Sequence, residues 1–416
     1  MQRLYFIVAI VIFTSIACKN VSSSESAVSD KDSLIVFAID SIDLKVITGA
    51  ERTKIFLPYL ENKYVAIVSN QTSMINNYHT VDSLISMGVN LIKIFCPEHG
   101  FRGDADAGEI VKDYVDEKTG LKVVSLYGNN KKPTNEQLSD IDVIIFDLQD
   151  VGARFYTYIS TLHYIMESCA ENDIELIIFD RPNPNGFYVD GPVLDMKFTS
   201  FVGMHPVPVV HGMTIGEYAQ MINGEKWLND SIQCKLKVIA CENYDHKMKY
   251  ELPVRPSPNL PNSRSVELYP SLCLFEGTDI SVGRGTEMQF QVIGHPKLKD
   301  VADMNFSFIP SPNAGAKNPV HNGKNCYGYD LRSKEEEFSD TATLNLNYLL
   351  YVYEKFPDKK NFFLKNNMFN LLAGNDILKQ QIISGKTDDE IHLSWKANLE
   401  KFKKIRKKYL IYKDFE

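Results

Sequence analysis

Short apolar runs recur between residues 64 and 241, separated by stretches with helical patterning. Tyr64–Val68, Asn90–Phe95, Ile141–Phe146 and Ile174–Phe179 have the length and composition of buried strands, with weaker candidates at Val123–Tyr127 and Leu236–Cys241. A helix is expected around Val81 to Met87, closed by Gly88. Phe155, Tyr158, Ile159, Leu162, Ile165, Met166 and Cys169 fall on one helical stripe. Thr214 and Glu217 form a capping box at the head of a further helix. This alternation predicts an α/β fold with a mostly parallel sheet covered on both faces. Right-handed crossovers then bring the carboxyl ends of the strands to one edge, where such sheets bind ligands.

The texture changes at Pro253. Pro253, Pro256, Pro258, Pro261 and Pro270 exclude a long helix or a central strand. A boundary near 260 therefore separates a domain over 34–260 from a smaller α+β domain over 261–416. The second domain mixes strand-like pieces such as Gln289–Ile293 with helices. The last helix carries Trp395, Leu399, Phe402, Ile405 and Tyr409 on one face, and the cluster from Lys401 to Lys408 reads as its solvated face.

The N-terminus reads as an address. Met1-Gln2-Arg3 precedes the apolar run Leu4–Phe13, which is too short for a membrane-spanning helix but fits a secretory signal. Small residues ending at Cys18 resemble the lipobox of bacterial lipoproteins. The expectation is a signal peptide over 1–17 and a lipidated Cys18 on a flexible tether over 18–33. That makes the chain an exported lipoprotein held at a membrane. A net charge of −8 argues against nucleic acid as a partner. No zinc-type cysteine spacing, P-loop, HExxH or dinucleotide fingerprint is present, so no metal or cofactor is expected. His205 and His211 read as hydrogen-bonding groups rather than ligands.

Three strands release charged residues into bent loops at the ligand edge. Glu98 follows Phe95, Asp147 and Asp150 follow Phe146, and Asp180 follows Phe179. Together they predict a polar cleft suited to glycoside hydrolysis, which uses paired carboxyl groups. Glu98, after an apolar run and Pro97, is the candidate for a partly desolvated acid. Asp147 and Asp180 are further catalytic candidates, each open to pairing, with Arg154 and Arg181 as examples. The second carboxylate stays open among Asp147, Asp150, Asp180, Glu109 and Glu287, with the use of none as a further alternative.

Pro97-Glu98-His99-Gly100-Phe101-Arg102-Gly103, the segment Asp147–Tyr158 and Asp180-Arg181-Pro182-Asn183-Pro184 resemble the family of exo-β-N-acetylmuramidases, formerly a domain of unknown function. His211-Gly212-Met213-Thr214, Pro258-Asn259-Leu260-Pro261, Glu276-Gly277-Thr278 and Gly283-Arg284-Gly285-Thr286 match in order. The resemblance implies a Rossmann-like first domain and release of N-acetylmuramic acid from the non-reducing end of peptidoglycan-derived glycan. It places the catalytic glutamate at Glu98. It makes His99, Arg102, Asp150, Arg154, Arg181, Asn183, His211, Glu276, Arg284 and Glu287 substrate-binding candidates. Gln71 stands where the family usually has His. The lactyl carboxylate of the sugar calls for a guanidinium clamp, and Arg102, Arg154, Arg181 and Arg284 are the candidates. The rival reading is a non-catalytic lipoprotein that binds cell-wall glycan.

Overall fold

The apolar runs form strands whose alternate side chains fill two layers. In chain order come β1 (Val65–Ser69), the small hairpin β2 (Met74–Ile75) and β3 (Tyr78–His79), β4 (Leu91–Cys96), β5 (Tyr114–Val115), β6 (Lys122–Ser125), β7 (Val143–Asp147), β8 (Glu175–Phe179) and β9 (Lys235–Ile239). The helices among them are α1 (Thr53–Phe56), α2 (Thr80–Ser86), α3 (Asn135–Leu138), α4 (Tyr158–Glu171) and α5 (Ile215–Gly224). This computed structural model describes residues 45–98, 100–102, 113–128, 130–333 and 342–416. The expected leader and tether, Cys18, His99 and Glu109 lie outside the described residues.

The main sheet has the order β5-β6-β4-β1-β7-β8-β9. All neighbours are parallel except β5, which runs antiparallel to β6. Without β5, the parallel strands stand in the doubly wound Rossmann order, so winding reverses between β1 and β7. The crevice outside the carboxyl ends of these two strands is the switch point where such sheets hold ligands.

Along β7, Ile144 and Phe146 pack in one layer with residues of α4 and α5, while Val143 and Ile145 pack in the other with Phe56 and Leu84. The first layer continues into the second half of the chain through Tyr269, Phe290 and Trp395. Burying these side chains at roughly 25 cal/mol per Å² joins the two halves, and residues Lys45–Glu416 form one compact unit. The second half contains α6 (Ser263–Leu272), β10 (Val292–His295), β11 (Phe306–Phe308), β12 (Cys326–Asp330), α7 (Asn347–Lys355), α8 (Met368–Ala373), α9 (Ile377–Ile383) and α10 (Asp388–Arg406). Its strands form an antiparallel sheet, β10-β12-β11.

Local departures from the sequence reading have physical causes. Helix α4 begins at Tyr158 rather than Phe155, because the backbone N–H of Arg154 is engaged by the Val209 carbonyl (2.8 Å) and Phe155 packs edge-on against Tyr269. Helix α6 runs through Pro270. The proline lacks the N–H that would reach the Val266 carbonyl, and Asn185 Nδ2 donates to that carbonyl instead (3.1 Å). The strand expected from Gln289 starts only at Val292, since Phe290 has a left-handed φ of 53°. Arg406 leaves the solvated face of α10: it is buried, donates twice to the Gly212 carbonyl and pairs with Asp414. The six described cysteines are buried free thiols.

Candidate active site

β4 ends where Pro97, lacking an N–H, cannot continue the ladder, and Glu98 follows at the carboxyl edge. The half-buried Glu98 carboxylate accepts a hydrogen bond from Thr157 Oγ1 at 3.1 Å. Tyr127, just beyond β6, also donates to it, and burial together with the charge of Glu98 pushes the phenol pKa up. Thr157 belongs to the loop after β7, so two loops from opposite sides of the switch point meet at this carboxylate.

The switch point itself is bolted shut by polar side chains. Asn70, one residue past β1, donates from Nδ2 to the Tyr158 hydroxyl at 2.7 Å, and its Oδ1 accepts from Thr72. Tyr156 donates to the Pro256 carbonyl at 2.8 Å, and Gln71 Nε2 donates to the same carbonyl at 3.1 Å. The proline-rich segment is thereby fastened over the crevice between β1 and β7.

The second half supplies the opposite wall. A cavity of about 130 Å³ is lined by Glu98, Phe155–Tyr158, Val202, Ser257, Asn259, Leu260, Tyr269, Glu276, Arg284 and Phe290. Gly283 and Gly285 flank Arg284 with φ of 79° and 78°, values that side chains disfavour, so the chain turns sharply on either side of the arginine. Arg284 Nε lies 2.5 Å from Glu276 Oε1, and its guanidinium sits 5.2 Å over the Phe290 ring. Burial works against the Arg284 charge, but Glu276 outweighs it and holds the guanidinium above its ordinary pKa.

The remaining sequence candidates stand elsewhere. The suggested Asp180–Arg181 and Asp147–Arg154 pairings are replaced by Arg181–Asp147, with Nε to Oδ1 at 2.7 Å between two buried side chains. Asp180 is fully buried and accepts from the Gly216 N–H, Thr214 Oγ1 and Tyr412 hydroxyl at 2.8, 2.8 and 2.6 Å. It thus anchors the head of α5, and burial, partly offset by these donors, raises its pKa to about 6. Arg154 is fully buried and donates to the carbonyls of Pro192, Val207 and Leu372, so it braces backbone. Arg102 is engaged by both oxygens of Asp116. Asn183 is buried and donates to the Met213 carbonyl. Glu287 is exposed and outside the cavity wall. Of the four proposed carboxylate clamps, Arg284 is the one in that wall.

Asp150 and His211 form a buried pair beneath the crevice, Oδ2 to Nε2 at 3.7 Å. The Gly152 N–H donates to Asp150 Oδ2 at 2.7 Å, but burial dominates and pushes this carboxyl up to about 7. Burial pushes His211 down to about 3, which keeps it neutral. His205 joins His163 Nδ1 to the Tyr218 hydroxyl, at 2.9 and 3.1 Å.

Among the described residues, Asp279, His295 and His321 are close enough to share a cation. The backbone N–H of Lys297 donates to His295 Nδ1 at 2.9 Å, which puts the ring proton on Nε2, facing Asp279 Oδ2 at 3.0 Å. A metal-binding imidazole needs the reverse tautomer, so this cluster is a hydrogen-bonded brace.

Sequence reasoning missed Thr157, Asn259 and Tyr269 in the cavity wall and Tyr127 as a partner of Glu98. Thr157 and Asn259 sat inside matching motifs, but neither residue is ionisable, so neither stood out as chemistry.

Residues 65–264 match the family described as exo-beta-N-acetylmuramidase NamZ, N-terminal, and residues 267–412 match its C-terminal counterpart. The peptidoglycan beta-N-acetylmuramidase NamZ of Bacillus subtilis strain 168 is 39% identical over 368 residues, covering 85% of this chain and 88% of that protein. Two crystal structures of DUF1343 family proteins from Bacteroides fragilis NCTC 9343 share the fold. One is 46% identical with a TM-score of 0.81, covering 89% of this chain and 100% of its own. The other is 29% identical with a TM-score of 0.74, covering 88% and 99%. With both family regions matched in order along one compact unit, the chain belongs to the NamZ family of exo-β-N-acetylmuramidases.

Proposed function

We propose that Glu98, Glu276 and Arg284 form the reacting end of a cleft that takes a non-reducing terminal N-acetylmuramic acid. The chain is an exo-acting glycoside hydrolase that releases this sugar from peptidoglycan-derived glycan; a purely glycan-binding role is not favoured. The observation that supports the residue assignment is the sharing of one small cavity by a carboxyl from the Rossmann-like half and an Arg–carboxylate pair from the other half.

In this reading Glu98 gives its proton to the glycosidic oxygen as the bond from the anomeric carbon breaks. Positive charge then spreads over the anomeric carbon and ring oxygen. Glu276, paired with Arg284, is the second carboxyl and stabilises that charge. Water adds at the anomeric carbon and its proton returns to the Glu98 carboxylate, restoring the acid and yielding free N-acetylmuramic acid and a glycan shorter by one sugar. Arg284 keeps donors beyond Nε to grip the lactyl carboxylate. Such a local cation is needed, because a chain of net charge −8 does not attract an anionic sugar. Incubating the protein with a chromogenic β-N-acetylmuraminide tests the reading, with the freed sugar identified by mass. Release is expected; its absence from pH 4 to 9 overturns the assignment.

The anchoring is part of the same proposal. Cys18 is acylated and holds the enzyme at a bacterial membrane, a reading supported by the apolar run before it and the polar tether after it. Fatty-acid labelling that persists in Cys18→Ala contradicts it.

A further inference from the structure

One residue in the wall of the cavity that holds Glu98 carries a buried acceptor with nothing to accept. Asn259 sits in a β-turn closed by the Leu260 N–H and the Ser257 carbonyl at 3.1 Å, with Pro258 just before it. Its Nδ2 donates to the Gly315 carbonyl at 2.6 Å. That bond fixes the amide orientation, since a carbonyl takes only a donor. The oxygen end is thereby committed. Asn259 is 2% exposed and lines the cavity, and among the described residues its Oδ1 has no hydrogen-bond partner. Buried polar atoms are nearly always paired, and an orphan is costly, so one kept in a cleft wall points to a ligand that completes it.

The chemistry of that ligand follows from the atom. An amide oxygen accepts only, so the ligand must bring a donor. The sugar's hydroxyls at C4 and C6 lie across the ring from its anomeric carbon. Its acetamido N–H is on the carbon adjacent to the anomeric carbon, the end that has to reach Glu98. An N–H taken out of water also needs an acceptor of its own.

We infer that Asn259 Oδ1 accepts the acetamido N–H of the bound sugar, and so selects sugars acylated on nitrogen at C2. The inference rests on the reading that Glu98 serves the glycosidic bond of an amino sugar. Asn259 is a specificity residue in this account, held in place by the Gly315 loop, which also ties Asn313 Nδ2 to the Thr286 carbonyl near Arg284.

The test uses two ligands, N-acetylmuramic acid and its 2-O-acetyl counterpart, in which an ester oxygen replaces the N–H. Calorimetric titration of the wild-type protein is expected to show at least about tenfold tighter binding of the acetamide, because the ester sets lone pair against lone pair. Asn259→Ala brings the ratio close to one. Equal affinity of the wild-type protein for the two sugars overturns the inference without any variant having to fold. So does a ratio unchanged in Asn259→Ala. Failure to cleave the chromogenic muraminide counts against the preceding reading instead, and leaves this binding ratio to be measured separately.

Discussion

Arg284 Nε lies 2.5 Å from Glu276 Oε1, and both side chains stand in the wall of the cavity that contains Glu98. A fixed positive charge beside a fixed negative one divides the labour of the site. In the proposed mechanism the carboxylate serves the developing cation, and the other donors of the guanidinium serve the anionic substituent of the sugar. Arg284→Ala is therefore expected to raise KM for a muraminide about tenfold or more. It should change KM for the matching N-acetylglucosaminide, which has no lactyl group, far less. Steady-state kinetics on the two substrates checks this, and equal losses on both remove the clamp from Arg284.

Asp180 makes the contrasting case. Its oxygens are occupied by the head of α5 and by Tyr412, which reaches it from the C-terminal segment. Asp180→Ala strands these buried donors and is expected to destabilise the fold by about 3 kcal/mol. The folded variant should retain its kcat. Denaturant melts beside activity corrected for folded fraction distinguish this from a catalytic role.

Asp150 is expected to leave a signature in the pH dependence of stability. Its carboxyl is raised from 3.8 to about 7 in the fold, chiefly by burial. Between those values the folded chain keeps a proton that the unfolded chain has released. Its contribution is therefore fully present below the unfolded value and lost as pH rises toward 7. His211 titrates in the opposite sense and Asp180 in the same one, so the difference from Asp150→Asn isolates the contribution of Asp150. The variant should gain stability relative to wild type between pH 5 and pH 8. Denaturation midpoints at those two pH values measure it, and a flat difference contradicts the assignment.

The strands and their order of use were legible in the sequence because a buried parallel strand is a short apolar run, and such runs survive any detail of packing. Glu98 was legible because Pro97 ends a strand at the edge where ligands bind. What the sequence did not carry was partner choice. Asp147, Asp180, Arg154 and Arg181 are all charged residues at strand ends, and charge alone cannot distinguish a cleft group from a buried brace. Arg181 crosses to Asp147 on the neighbouring strand rather than pairing next door, a consequence of β7 and β8 lying side by side. Asn259 and Tyr127 stayed hidden for a different reason: Asn259 lines a cavity built by contacts far apart in the chain, and Tyr127 meets Glu98 only once the chain is folded.

The central claim is that Glu98 delivers the proton that breaks the glycosidic bond. The direct measurement is kcat of Glu98→Gln on a chromogenic β-N-acetylmuraminide, beside a thermal melt showing that the variant is folded. The account predicts a loss of about 10²–10⁴ in kcat with the melt little changed. A folded variant that turns over within a few-fold of wild type would contradict it.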